Sequence, residues 1–174
     1  MAGSIPRIGM LGGRGSHHRR LVGSRPPGFI GRPGRSKKNA IGRSRGGPTT
    51  KIHLAVNGHG KPLRVLLTQG NQHDITMFEP LIEGFDVKAC LADKAYDSKR
   101  VIEILISRGI EPVIPARTCS KPRALDKALY ALRYLVECCF HDLKRFRRIA
   151  TRFEKTTSSF AAFLSIACAT LWLK

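Results

Sequence analysis

The sequence predicts an α/β domain in which helices cover both faces of a mixed sheet, and three observations carry that expectation. Thr50, Ile52, Leu54 and Val56 alternate with Lys51, His53 and Ala55, the period of a strand. Two later apolar runs, Val87–Ala92 and Glu111–Pro115, are short enough for buried strands and are separated by a segment of helical period. A longer run from Asp126 carries an apolar stripe at helical spacing. Mixed strands with interleaved helices bury their apolar faces best as three layers.

The elements follow in chain order. Asn57-Gly58-His59-Gly60 is a turn, and Pro62–Thr68 (PLRVLLT) reads as the returning strand of a hairpin. Asp74 can cap a helix over Ile75–Glu83, closed by Gly84. Val87–Ala92 ends on Asp93. Ser98 caps the next helix, which contains Glu103 and the apolar Val101, Ile102, Leu105 and Ile106 and stops at Gly109. Ala116–Ala124 (ARTCSKPRA) is a basic loop between the strand Glu111–Pro115 and the helix that begins at Asp126. A final helix starts near Ser158. The chain has no internal repeat.

Its 174 residues suffice for one domain with a core. The formal net charge of +19 implies a polyanionic partner, nucleic acid first of all. That charge is unevenly spread. Residues 1–50 hold 11 of the 31 Lys and Arg, 12 of the 17 Gly and 5 of the 10 Pro, and the first acid is Asp74. Residues 1–40 therefore read as a basic, disordered arm, because they bury too little apolar area to offset their chain entropy. Residues 41–174 form the folded domain. Five cysteines without a C-x-x-C pair read as reduced and structural, as in a cytoplasmic protein. The apolar run Phe160–Leu173 is too short to span a bilayer, so no membrane is expected as a partner.

Chemistry gathers at two places. Asp93, in LADKAYDS, stands at the carboxyl end of a buried strand, where α/β sheets place ligands. In YALRYLVECCFHDLKRFRR, Tyr130, Arg133, Glu137 and Lys144 read Y-x2-R-x3-E-x6-K. On one helix they fall within an arc of about 60°. A carboxylate among cations suits a site that holds metal ions and phosphates together, and a second carboxylate from the strand end would complete a Mg²⁺ or Mn²⁺ pair for phosphoryl transfer. Asp97 reads as a structural turn residue and Asp142 as a solvated one. His53, His59 and His73 match no metal-binding spacing, and Phe160, Phe163 and Trp172 read as core.

With these motifs the chain resembles the insertion-sequence transposases of the DDE superfamily, in the group with the Tyr-Arg-Glu-Lys helix. The resemblance runs from Ala40 to Lys174 through GRSRGGPTTKIH, LADKAYDS and LYALRYLVECCFHDLKRFRRIATRFEK. It implies an RNase H-like fold and metal-dependent cleavage and joining of DNA ends with Mg²⁺ or Mn²⁺. It implies that Asp93 and Glu137 are the second and third acids of the triad and bind the metal. Tyr130, Arg133 and Lys144 would hold terminal DNA phosphates, and Arg43, Arg45, Arg147 and Arg148 would add DNA contacts. It also implies a homo-oligomer on DNA, associated with the nucleoid.

The chain departs from the family in one respect. The first acid should lie on a strand upstream of GRSRGG, where this sequence has no Asp or Glu. The expectation is an N-terminally incomplete domain whose first catalytic strand is missing, with residues 1–40 out of frame and an upstream-frame polypeptide supplying the first Asp. Loss of a central strand would leave unpaired edges and an opened core. The alternative function is a non-catalytic, basic DNA-binding remnant of such an enzyme.

Overall fold

The computed structural model describes residues 8–11, 40–44, 47–118, 120 and 122–173. Strands β3 (Gly47–Val56) and β4 (Pro62–Gln69) form the expected hairpin, in register from Thr50↔Gln69 to Ala55↔Arg64, with a shift before Val56↔Pro62. Asn57 closes its turn, since Oδ1 accepts the amides of His59 and Lys61, both at 2.9 Å. Gly60 sits there at φ 75°, which an L side chain would strain. A short strand, β2 (Gly42–Ser44), pairs with the first residues of β3.

Beyond the hairpin the sheet continues through β1 (Ile8–Leu11), β5 (Ala89–Ala92) and β6 (Glu111–Val113). Strand β1 runs antiparallel to β3, with Leu11 opposite Leu54, and parallel to β5, with Met10 beside Ala92. Strands β5 and β6 are parallel. The order β4-β3-β1-β5-β6 thus has two antiparallel steps followed by two parallel ones.

Strand β1 corrects the expectation of an empty central slot. The four residues Ile-Gly-Met-Leu fill it, so β3 and β5 are not left with bare edges on that side. A slot between two apolar strands offers backbone partners on both sides, which no solvent-exposed placement matches. Four residues flanked by glycine and arginine are too few to reveal a strand by alternation alone. The strand brings no carboxylate. Apart from Ala40, the remainder of the segment read as a disordered arm lies outside the described residues.

Strand alternation sorts the core into two layers. Ala55, Cys90 and Ala92 face one side, where they pack with Phe78, Leu81 and Ile82 of α1 (Phe78–Ile82) and with Val101 and Leu105 of α2 (Lys99–Ser107). Ser98 caps α2 as expected, accepting the Val101 amide at 3.2 Å. Ile52, Leu54 and Val56 face the other side, against α4 (Tyr134–Lys144), α5 (Arg147–Ala150) and α6 (Thr157–Trp172). A third cluster on that side joins Ala89, Leu91 and Val113 to Leu125, Leu129, Tyr130 and Leu132, around α3 (Lys127–Ala131). Each fully buried leucine, such as Leu54 or Leu143, contributes about 2 kcal/mol through burial.

Three element expectations need adjustment. The helix assigned to Ile75–Glu83 is a 3-10 turn, Asp74–Met77, followed by α1, and Asp74 does not cap it. Its carboxylate instead pairs with Lys51 at 2.9 Å. The long helix from Asp126 is broken. Asp126 caps α3 through the Leu129 amide, and the chain then tightens through Leu132 and Arg133 before α4 begins. Trp172 is half exposed, and its indole N–H donates to Pro62 O at 2.8 Å, so it tethers α6 to β4 while Phe160 fills the core.

Candidate functional site

Asp93 follows β5 in extended conformation (φ −77°, ψ 169°), so it keeps the strand's phase and shares the face of Ala89 and Leu91. That face is the one α3 and α4 cover. Asp93 is half-buried and opens a 3-10 turn, Lys94–Tyr96, with Oδ1 accepting the Ala95 amide at 2.7 Å.

Tyr130, Arg133 and Glu137 meet at the α3–α4 junction. The junction amides of Leu132, Arg133, Leu135 and Val136 bond three residues back, the tighter pattern that brings i and i+3 into line. Arg133 therefore lies over the Tyr130 ring, 5.7 Å from its centroid, and its Nη2 donates to Glu137 Oε1 at 2.9 Å. Tyr130 itself packs against the β5–β6 cluster. The Glu137 side chain is 50% exposed in the first turn of α4, where the helix dipole favours a carboxylate. Lys144 stands exposed in the last turn, seven residues on and so close to the same side. The sequence placed these four groups on one helix. The structure keeps their grouping but makes it across a bend, because Arg133 spans the junction.

The basic run after Lys144 is not a single helix end. Phe146 adopts φ −76°, ψ 105° and separates α4 from α5. Arg147 is exposed and stacks over Phe153 at 5.5 Å. Arg148 is partly spent on structure, with its Nη1 3.7 Å from Glu154 and its guanidinium over Phe163. The Arg43 side chain and all of Arg45 lie outside the described residues.

Two networks escaped the sequence reading. Buried Asp97 accepts the Arg117 amide at 2.6 Å on Oδ2 and Arg123 Nη2 at 2.5 Å on Oδ1. Burial alone would raise its carboxyl, but hydrogen bonds from Ser120, Arg117 and Arg123, with the Arg123 charge, hold it at about 2. The Arg117 guanidinium in turn donates to Lys94 O at 2.9 Å and to Ala95 O at 2.6 Å. On β3, fully buried His53 shares a 2.7 Å hydrogen bond with Thr68 and lies 3.5 Å from Asp74. Burial drives its pKa down to about 4; Asp74 opposes this and Lys51 reinforces it. The partners are 15 to 26 residues apart in sequence, so no local pattern announces them. Burial also pushes the thiols of Cys90 and Cys139 to about 12 and that of Cys168 to about 11, which keeps them protonated and unreactive.

A family model described as the transposase DDE domain matches residues 24–172. The chain belongs to this family. A protein of Brucella ovis described as a transposase for insertion sequence element IS6501 is 37% identical over 129 residues, covering 72% of this chain and 99% of that one. A protein of Burkholderia cepacia described as a transposase for insertion sequence element IS402 is 33% identical over 147 residues, covering 78% and 68%. Membership of the DDE transposase family agrees with the mixed α/β architecture and with the resemblance carried by the motifs.

A divalent metal is the family's usual requirement, and the donor types here suit one: Asp93 and Glu137 offer hard oxygen ligands. Their number does not. Among the described residues no group of three or more His, Cys, Asp or Glu could hold a metal ion. One oxygen of each acid is already engaged, by Ala95 N and by Arg133. Among the same residues no helix is long and apolar enough to cross a membrane.

Proposed function

We propose that this chain binds the ends of a mobile DNA element and contributes Asp93 and Glu137 as two of three acids for metal-dependent strand cleavage and transfer. The observation that carries the reading is the meeting of Tyr130, Arg133 and Glu137 on the sheet face that Asp93 shares by strand phase. The strand order, two antiparallel steps then two parallel, supports an RNase H-like arrangement. Arg133 is held to Glu137 by an exposed pair worth about 0.5 kcal/mol, so a phosphate can draw it away at little cost. Exposed Lys144, Arg147 and Arg148 would add cationic contacts to the DNA, as would Arg43 and Arg45. The partners are DNA and a second copy of the chain on it, in the cytoplasm with the nucleoid.

The third acid, with Mg²⁺ or Mn²⁺, comes from outside the described residues. A polypeptide from an upstream frame would supply it by entering the slot between β3 and β5, so Ile8–Leu11 must leave. A nicking assay on transposon-end DNA with either metal tests the reading, with Glu137→Ala as control. Cleavage lost in the variant supports the enzyme. Tight, salt-sensitive binding without cleavage supports the second reading, a DNA-binding remnant, which the acid-free sequence of β1 favours.

A further inference from the structure

We propose that Asp97 is a positioning residue for Asp93, acting through Arg117. The inference rests on Asp93 as the metal-binding acid proposed above and names what aims it. Asp93 sits at the mouth of a three-residue 3-10 turn whose Lys94 and Ala95 are exposed, so packing by itself fixes little of it. Its Oδ1 is oriented by one donor, the Ala95 amide. The peptide planes on either side of Ala95 are in turn held by Arg117, whose planar fork spans Lys94 O and Ala95 O. A lysine could reach one of these carbonyls but not hold both in plane.

Asp97 anchors Arg117. Oδ2 takes the Arg117 amide, and Oδ1 takes Arg123, which also reaches Ile114 O at 3.4 Å. Tyr96, 1% exposed, pins the far end of the turn beside Phe78. The result is a closed relay from a buried carboxylate, through an arginine on the basic loop after β6, to the carboxylate of Asp93. The same relay couples that loop to the site, so a DNA strand pulling on the Arg117 guanidinium would also move Asp93.

The test is nuclear magnetic resonance on the full chain, comparing wild type with Asp97→Asn, Arg117→Ala and Arg117→Lys. Side-chain couplings read the Asp93 rotamer, and hydrogen exchange reads the Ala95 amide. Asp97→Asn and Arg117→Ala should let Asp93 average over rotamers and speed Ala95 exchange about tenfold, with β3 and β4 amides unchanged. Arg117→Lys should fall between them and wild type. An unchanged rotamer with unchanged Ala95 exchange would overturn the proposal. Should Asp97→Asn loosen β3 and β4 as well, Arg117→Ala decides, because the Asp97–Arg123 contact remains in it.

Added Mn²⁺ separates this inference from the reading beneath it. Paramagnetic broadening at Asp93 that disappears in Asp93→Asn and weakens in Asp97→Asn supports both. Broadening that persists in Asp93→Asn removes the metal role of Asp93, while the coupling and exchange results still decide the relay.

Discussion

The two acids of the candidate site are held in opposite ways. Asp93 belongs to a turn fastened from below by a buried carboxylate, two arginines and a buried tyrosine. Glu137 stands on the outer side of α4, half exposed, with a single partly buried arginine as partner. The strand side is built for fixed geometry and the helix side for adjustment. Buried, fully bonded polar groups lose much when one partner is removed, whereas exposed ion pairs lose little. The same contrast separates the two sides in their response to acid, because the shifted groups that titrate there, His53 and Asp97, occur on the strand side, whereas the shifted thiols Cys139 and Cys168 of the helix side titrate at about 12 and 11.

Four experiments test that contrast. His53 titrates near 4 in the folded chain and near 6.5 when unfolded. The unfolded chain therefore takes up a proton first, and stability should fall by up to about 3 kcal/mol as pH drops from 6.5 towards 4. Urea melts across that range should show the loss in wild type, and His53→Gln should flatten it. Next comes Asp97→Asn, expected to cost about 2 kcal/mol at neutral pH by removing the charge and leaving either the Arg117 amide or Arg123 facing a donor. The Asp97 contribution is fully present above pH 4 and should fade as pH falls through its folded value near 2. An Asp97→Asn melt that matches wild type at pH 7 would erase the distinction between the two sides.

On the helix side the effects are smaller. Asp126→Ala removes the cap of α3 and should cost about 1 kcal/mol, read as a lowered melting midpoint. Arg133→Ala should change stability by less than about 0.5 kcal/mol, yet weaken binding to end DNA and reduce its salt dependence. A large stability loss there would mean that Arg133 is a structural brace and not a phosphate contact.

The hairpin, the strand ending on Asp93, the helix capped by Ser98 and the Tyr-Arg-Glu-Lys grouping could all be read in the sequence. Each is written in short-range signals: alternation, a capping serine, residues three, four or seven apart. What escaped was non-local. The break at Leu132 and Arg133 has no proline or glycine to announce it. The capping role expected for Asp74 gave way to a pair with Lys51, 23 residues earlier. The strand at Ile8–Leu11 is too short to stand out, and it is a strand because two neighbours bond it.

Composition and local spacing already carry the chemistry: a strongly basic chain, a carboxylate at a strand end, and a phenol, two cations and a second carboxylate at helical spacing. Local periodicity and charge survive any packing, so these were legible without it. The tertiary structure alone decided which strand fills the centre of the sheet. It also decided that Asp97, Arg117 and Arg123 converge beneath Asp93, and that Arg133 bridges the bend between α3 and α4. Those choices depend on which groups burial leaves in need of a partner, and such partners are found across space and not along the chain.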